Sequence, residues 1–207
     1  MPKKKSVIKM THLFKKGSSD KTLLLLHGTG GDEYDLIEIA QLIDPEANIL
    51  SLRGNVNENG MNRFFKRYST GVYDYASINL ETENLNQFIN EAVSKYNLNK
   101  AMMIGIGYSN GANLLESLLQ LKGNVLNKLI LFNPSFLNPN LKFEDLNGVK
   151  VFISASKQDP YTTYNEQLSF HNLLTDSGAL IEVFWSNDGH QLTQESIMNA
   201  KKWYDLN

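Results

Sequence analysis

Hydrophobic positions along the chain fall into two kinds of segment that alternate from one end to the other. Short apolar runs are typical of buried strands, and they occur at residues 22–26, 47–52, 101–106, 127–132, 149–155 and 179–185. Longer segments with apolar residues every three or four positions are typical of amphipathic helices, and these are residues 35–43, 81–96, 112–121 and 191–204. The helical spacing is clearest in residues 81–96, whose apolar positions are Leu85, Phe88, Ile89, Ala92 and Val93.

This alternation predicts the fold class. Strands that alternate with helices form βαβ units, in which the strands pair in parallel and the helices cover both faces of the sheet. We therefore expect an α/β fold with a mostly parallel central sheet and a single domain over residues 1–207. Residues 6–14 are expected to add an edge strand, with an antiparallel orientation as one option, and residues 15–20 its turn. Ligands of such sheets bind beyond the carboxyl ends of the strands.

Composition and charge narrow the function classes. The 207 residues are 42% hydrophobic and 20% charged, with a net charge of −2 and a pI near 6.1. No nucleic-acid partner is expected, and the basic run Lys3-Lys4-Lys5 is interpreted as a solvated terminus. Because the chain has no cysteine, a disulfide, a Cys-based metal site and a Cys nucleophile are excluded. The apolar runs are shorter than a membrane span and no signal-peptide core is visible, so a cytoplasmic location is expected.

A serine, an acid and a histidine follow three of the predicted strands, in that order. Ser109 lies in the sequence GYSNG after residues 101–106, Asp159 follows the strand at 149–155, and His190 follows the last strand. A serine hydroxyl is a weak nucleophile near neutral pH, so it needs a base within hydrogen-bond reach and an acid that orients the base. The spacing G-x-S-x-G is weak evidence alone, but between a strand and a helix it predicts a sharp turn that exposes the serine oxygen. The order predicts Ser109 as nucleophile, His190 as base and Asp159 as orienting acid.

Other acids and histidines are alternatives for these roles. Asp188 is the rival acid because it lies two residues from His190, although an acid so close in sequence more often caps a turn or the following helix. His12 falls in the predicted N-terminal strand, and His27 in a turn where local hydrogen bonding is the expected role. His171 falls in a helical pattern and is expected to be a packed or surface residue.

Two backbone N–H groups are expected to stabilise the oxyanion. One belongs to Asn110, the residue after the nucleophile, and the other to Thr29 in the loop HGTGGD after the first apolar run. The alternative is that this glycine-rich loop is only a tight connection. Glycines 105 and 107 also resemble the start of a dinucleotide fingerprint, but the third glycine falls at 111 and the motif lies in mid-chain. No P-loop, H-E-x-x-H or calcium-loop spacing is present, so no cofactor and no metal are predicted.

The long segment at residues 53–76 is expected to form a wall of the substrate pocket, because long loops are often functional. Phe64, Phe65 and Tyr68 are predicted to contact an acyl or aromatic group, with the alternative that they pin the loop to the core. Arg53 either holds the loop through carbonyl groups, which is the favoured interpretation, or binds a substrate carboxylate. Residues 133–148 leave room for only a minimal lid, which favours small or extended substrates over those of a gated lipase.

Four motifs carry a resemblance to a known family. HGTGGD, GYSNGA, the pair Asp159-Pro160 and the pair Gly189-His190 resemble the phospholipase/carboxylesterase family of α/β-hydrolases, which includes acyl-protein thioesterases and small bacterial carboxylesterases. Residues 53–67 are similar to a bacterial branch associated with quinone and electrophile stress. The resemblance covers about residues 21–203. It implies an α/β-hydrolase fold with a minimal lid, and it implies the same triad and oxyanion roles. Thioesterase-like members commonly have Gln after the serine, so Asn110 leaves open the choice between oxygen esters and thioesters.

The leading hypothesis is a serine hydrolase that cleaves small carboxylic esters through an acyl-enzyme. An acyl thioesterase or a lysophospholipase is the alternative within enzymes. The alternative of another class is a non-catalytic ligand binder with the same fold, because fold alone does not establish activity. The expected partner is a small-molecule ester, and a homodimer is an open possibility.

Overall fold

The computed structural model describes residues 10–207, and a seven-stranded sheet forms its centre. The strands are β1 (His12–Lys15), β2 (Thr22–Leu26), β3 (Asn48–Leu52), β4 (Val56–Glu58), β5 (Met61–Arg63), β6 (Arg67–Ser69), β7 (Val72–Tyr73), β8 (Met103–Tyr108), β9 (Lys128–Phe132), β10 (Lys150–Ser156) and β11 (Leu180–Ser186). The helices are α1 (Ile37–Ile43), α2 (Tyr75–Tyr96), α3 (Asn110–Lys122), α4 (Tyr164–Asp176) and α5 (Gln194–Leu206). A short 3₁₀ turn at Lys100–Met102 precedes β8.

The central sheet has the strand order β1-β3-β2-β8-β9-β10-β11. All neighbouring strands pair in parallel except β1, which is antiparallel to β3. The predicted mostly parallel sheet is therefore confirmed. Within the described residues the edge strand occupies residues 12–15 and takes the antiparallel orientation. Residues 6–9 of the strand predicted at 6–14 lie outside the described residues, as does the basic run at residues 3–5.

Helices cover both faces of this sheet, as expected. Phe88, Leu115 and Phe170 belong to an apolar cluster that joins α2, α3 and α4 to one face. Ala40 and Trp203 belong to a second cluster, which joins α1 and α5 to the other face. All five residues of β2 are buried, which explains its unbroken apolar run, since a parallel strand between two helical layers meets no solvent.

The region before α2 is more ordered than its sequence pattern predicted. Residues 56–73 form two small hairpins, β4–β5 and β6–β7. The first hairpin turns at Asn59-Gly60, whose φ angles of 54° and 86° are those favoured by an Asn-Gly turn, a signal the analysis of periodicity missed. Helix α2 begins at Tyr75 rather than residue 81, and the Asp74 side chain caps it by accepting a hydrogen bond from the Ser77 N–H (3.0 Å).

Two structural features are absent from the described part of the chain. No helix in residues 10–207 is both long and apolar enough to cross a membrane. Within the same range, no group of three or more His, Asp or Glu side chains is arranged to hold a metal ion.

His171 on α4 is buried and makes the stability of the fold depend on pH. Only 5% of the residue is exposed, and its Nε2 has no hydrogen-bond partner among the described residues. Burial lowers the pKa of His171 from 6.5 to about 4. The unfolded chain therefore takes up a proton below pH 6.5 while the folded chain does not, so the free energy of unfolding falls as the pH drops from 6.5 to 4.

We expect His171→Leu to remove this part of the pH dependence. The histidine lowers the free energy of unfolding by about 3 kcal/mol in total between its unfolded-state pKa and its folded-state pKa. Its stabilising contribution is fully present above the unfolded-state pKa. Urea unfolding of both proteins at a series of pH values from 7.5 down to 4.5 measures the difference. Parallel curves of unfolding free energy against pH would contradict the assignment.

Candidate active site

The turn between β8 and α3 holds Ser109 in a strained backbone conformation. Its φ is 50° and its ψ is −112°, which lies outside the regions that L-residues normally occupy. The Ser109 N–H donates to the Phe132 carbonyl and the Asn113 N–H donates to the Ser109 carbonyl, both at 2.9 Å. These bonds hold the turn against β9 on one side and the first turn of α3 on the other. The strained strand-to-helix turn expected from the sequence is therefore present at Ser109.

Two glycines permit this turn because backbone segments approach each other closely there. A Cβ on Gly111 would lie 2.1 Å from the carbonyl oxygen of Leu26 in β2. A Cβ on Gly107 would lie 2.6 Å from the amide nitrogen of Ala112. Both clashes are with backbone atoms, which cannot move aside by changing a side-chain rotamer. Any residue larger than glycine must therefore displace a strand or a helix.

We expect Gly111→Ala to lower the free energy of unfolding by at least about 3 kcal/mol, because β2 and α3 must separate to admit the methyl group. The matched control is Gly60→Ala, where a Cβ meets nothing within 4 Å and only the positive φ of 86° opposes the change. That control is expected to cost about 1 kcal/mol. Denaturant unfolding measures both variants. An equal loss of unfolding free energy in the two variants would show that β2 and α3 leave room for a methyl group at Gly111.

The three reactive side chains predicted from the sequence meet at the carboxyl edge of the sheet. The Ser109 hydroxyl donates to His190 Nε2 at 2.7 Å, and His190 Nδ1–H donates to Asp159 Oδ2 at 2.6 Å. The Asp159 side chain is only 1% exposed and that of His190 is 13% exposed. Because a carboxylate only accepts hydrogen bonds, it fixes the proton on Nδ1 and leaves Nε2 as the acceptor for the serine.

The structure brings Asp159 rather than Asp188 to His190. Asp159 lies in the turn after β10, where its Oδ1 also accepts a hydrogen bond from the Tyr161 N–H at 2.8 Å. Asp188 is exposed, and its N–H donates to Ser186 Oγ at 3.3 Å within its own turn. The geometry therefore agrees with the choice of Asp159 as the acid paired with the histidine.

Two tyrosines that the sequence analysis did not single out hold His190 in place. Tyr108 donates from its hydroxyl to the His190 carbonyl at 2.8 Å. Tyr161 packs edge-on against the imidazole, with ring centroids 4.7 Å apart at 87°. Burial, followed by the nearby charge of Asp159, raises the pKa of the Tyr108 phenol, so it remains a donor at neutral pH. Their positions in the sequence could have indicated this role, since Tyr108 precedes Ser109 and Tyr161 lies two residues after Asp159.

Thr29 and Asn110, whose backbone N–H groups are expected to stabilise the oxyanion, border the same cavity as Ser109. Neither donates a hydrogen bond within residues 10–207, which leaves both able to bind an oxyanion. The N–H of Asn110 is the first of α3, where the positive end of the helix dipole adds to its effect. The loop that carries Thr29 is fixed by hairpin β4–β5: the Gly30 N–H donates to the Asn62 carbonyl (2.8 Å) and Arg63 donates to Thr29 Oγ1 (2.7 Å).

His27 fixes the other side of this loop, in the local hydrogen-bonding role expected for it. Its Nδ1–H donates to the Gly28 carbonyl (2.5 Å), and its Nε2 accepts from the Gly54 N–H (3.1 Å). Burial lowers the pKa of His27 despite the bond to Gly28, so the neutral form that accepts from Gly54 is favoured. The loops after β2 and β3 are thus joined beneath the site.

The side chain of Asn110 has a structural role. Its Oδ1 accepts a hydrogen bond from the Phe64 N–H at 2.7 Å, in a buried position. Its Nδ2 is buried and has no partner among the described residues. Asn110 therefore ties the start of α3 to the segment at residues 53–76, and its side chain helps to hold that segment in position.

The structure corrects the substrate-contact predictions for four residues of this segment. Phe64 and Phe65 are both 0% exposed and belong to the core, where Phe64 packs against His27 and Phe65 against Tyr73, because burial of large aromatic side chains is favourable. Tyr68 is 76% exposed and does not border the cavity. Arg53 forms an ion pair with Glu33, with Nε 2.5 Å from Oε2, rather than bonding carbonyl groups or facing the cavity. The alternative interpretation, in which the phenylalanines pin the loop to the core, is the correct one.

A different part of the same segment forms the wall of the site. The cavity beside Ser109 has a volume of about 340 Å³, and it is bordered by Arg63, Arg67 and Tyr73 from the two hairpins. Ser135 also borders it, and is the contribution of residues 133–148. That stretch contains no helix or strand and buries Leu137 against the core, so it covers little of the cavity, as expected for a minimal lid.

Comparisons with known proteins find similar sequences and similar solved structures. A scan against models of protein families gives no match. The chain is 46% identical over 195 residues to MhqD of Bacillus subtilis strain 168, which is named as a hydrolase, and the match covers 94% of this chain and 98% of MhqD. It is 42% identical to the solved carboxylesterase of Bacillus cereus, with a TM-score of 0.93 over 95% of this chain and 94% of that one. It is 37% identical to YahD, solved with malic acid, with a TM-score of 0.91 over 96% and 99% of the two chains.

MhqD and the Bacillus cereus protein are named for hydrolysis and match almost the full length of the chain, which supports an enzyme over the non-catalytic interpretation. The central sheet, the strained serine turn and the relatives lead to one conclusion: the chain belongs to the carboxylesterase-type family of α/β-hydrolases and is an esterase.

Proposed function

We propose that Ser109, His190 and Asp159 form a catalytic triad that hydrolyses small carboxylic esters through an acyl-enzyme. The observation that carries the proposal is the continuous hydrogen-bond chain from Ser109 Oγ to His190 (2.7 Å) and from His190 to Asp159 (2.6 Å). Each distance is short enough for direct proton transfer or charge stabilisation, and the chain needs no rearrangement to act.

The reaction has two halves. In the first, Ser109 Oγ attacks the ester carbonyl while its proton passes to His190 Nε2, and the N–H groups of Thr29 and Asn110 stabilise the oxyanion. The C–O bond to the alcohol then breaks, and His190 gives its proton to the leaving oxygen. In the second half, His190 takes a proton from water, the hydroxide attacks the acyl group, and the acid leaves as Ser109 regains its proton. Asp159 orients the imidazole and stabilises its charged form throughout.

The dimensions of the cavity support small substrates. A volume of about 340 Å³ beside Ser109 accommodates a short acyl chain or a small aromatic group, and residues 133–148 do not close over it. YahD was solved with malic acid, a molecule of the size that such a cavity admits. We therefore place the physiological substrate among small, soluble esters rather than triglycerides.

A substrate panel tests this proposal. The purified protein is given 4-nitrophenyl acetate, butyrate and octanoate, an acyl-CoA and a lysophospholipid, and kcat/KM is measured for each. We expect the short oxygen esters to give the highest values. Higher values for the thioester or the lysophospholipid would replace the carboxylesterase proposal by the corresponding alternative.

A further inference from the structure

The cavity beside Ser109 carries an excess of positive charge. Arg63 and Arg67 lie in its wall, and none of its lining residues, all of which belong to the described range, is Asp or Glu. The two guanidinium groups are close enough to repel each other: burial first, and then the charge of Arg67, lowers the pKa of Arg63. An anion that entered the cavity would relieve this repulsion.

Arg63 is already committed to the protein. Its side chain is only 3% exposed and lies 3.4 Å from Glu58. It also donates to the Phe65 carbonyl at 3.2 Å and to Thr29 Oγ1 at 2.7 Å. These contacts engage Arg63 Nε and Nη1 within the protein, and the bond to Thr29 holds the loop that carries Thr29, so we assign Arg63 as a positioning residue.

Arg67 is different, because its guanidinium has neither an ion pair nor a hydrogen bond within residues 10–207. Its backbone takes part in hairpin β6–β7, and its backbone N–H donates to Glu58 Oε1 at 3.2 Å. The residue is partly exposed and borders the cavity at the start of hairpin β6–β7. The Glu58 carboxylate, which accepts that bond, forms its ion pair with Arg63.

The other acids around the cavity do not neutralise Arg67. The carboxylate of Asp159 is buried and accepts the hydrogen bond from His190. Glu116 is fully buried and does not border the cavity, and burial raises the pKa of its carboxyl well above the usual range, which disfavours its charged form. A free guanidinium in a partly enclosed cleft attracts anions more strongly than one on an open surface, since the field is concentrated there.

We propose that Arg67 binds a carboxylate group on the ester substrate, so that the enzyme prefers esters that carry a negative charge over neutral esters of the same shape. The planar guanidinium suits this role because it bonds both oxygens of a carboxylate at once. The inference rests on the proposed esterase function and names the substrate class of that same site. It assigns to Arg67 the part that the sequence analysis had considered for Arg53.

Two matched ester pairs test this preference. In the first pair the charge is in the acyl part: mono-4-nitrophenyl adipate against methyl 4-nitrophenyl adipate. In the second it is in the leaving group: 4-acetoxybenzoate against its methyl ester. For each pair the ratio of kcat/KM, charged over neutral, is measured for the parent protein, Arg67→Met, Arg67→Lys and the control Lys66→Met. Lys66 is exposed, adjoins Arg67 and does not border the cavity, so its variant removes the same charge from the same hairpin.

We expect Arg67→Met to lower the charged-to-neutral ratio about tenfold in one of the pairs, as loss of a charge-assisted hydrogen bond does. Arg67→Lys should retain part of the ratio, and Lys66→Met should leave it close to the parent value. The proposal is overturned if Arg67→Met changes both ratios no more than Lys66→Met does. Failure of the esterase proposal would give a different result: the parent protein would not hydrolyse the two neutral esters, or Ser109→Ala would hydrolyse them as fast as the parent.

Discussion

Ser109→Ala is expected to lower kcat for 4-nitrophenyl esters by at least about 10³-fold while leaving the fold intact. The substitution removes only the hydroxyl group, whose one described hydrogen bond is the 2.7 Å contact to His190. The backbone bonds that fix the turn, from Ser109 N–H to Phe132 and from Asn113 N–H to Ser109, do not involve the side chain. Activity and structure are therefore separable at this position.

The measurement is a comparison of turnover and stability. Turnover is followed by nitrophenolate release, and folding by circular dichroism and denaturant unfolding. The matched control is Ser135→Ala, which removes a hydroxyl from another part of the same cavity wall and tests whether loss of any such group has the same effect. A Ser109→Ala protein that is folded and retains turnover within tenfold of the parent would show that a different group attacks the ester.

Asp159→Asn is expected to lower kcat by about 10³- to 10⁴-fold. An amide at this position is able to donate to His190 Nδ1, which moves the imidazole proton to Nε2 and leaves no acceptor for the Ser109 hydroxyl. It also removes the negative charge that stabilises the protonated imidazole. Both effects follow from the 2.6 Å contact between Asp159 Oδ2 and His190 Nδ1.

Asp188→Asn is the matched control for this variant. It makes the same chemical change two residues from His190, at an exposed position whose backbone N–H bonds to Ser186. We expect its kcat to stay close to the parent value. If Asp188→Asn has the large effect and Asp159→Asn the small one, the acid has been assigned to the wrong residue.

The parts of this fold that depend on local pattern were predictable from the sequence. Buried strands such as β2 and β8 are continuous apolar runs, so their existence and order followed from periodicity. Because consecutive parallel strands present their carboxyl ends at one edge, the order of Ser109, Asp159 and His190 was enough to place them together. The strained turn followed from the two glycines that flank the serine, at positions where a side chain would collide with neighbouring elements.

The walls of the site were harder to predict because they depend on contacts between distant segments. Phe64 and Phe65 are aromatic residues in a long connection, and their sequence does not distinguish a pocket wall from core packing. The bond from the Phe64 N–H to Asn110 spans 46 positions in the chain, and no local signal records it. Arg63 bonds to Glu58 and Thr29 while the Arg67 guanidinium does not, and this difference depends on where those two partners lie in three dimensions.

The most direct test of the central claim is covalent labelling by a fluorophosphonate, followed by intact mass measurement and peptide mapping. The proposed triad predicts one adduct per chain, located on Ser109, absent from Ser109→Ala and formed much more slowly by His190→Ala, since the base that activates the serine is then missing. An adduct on another residue, or a parent protein that hydrolyses esters yet acquires no adduct on Ser109, would contradict the account.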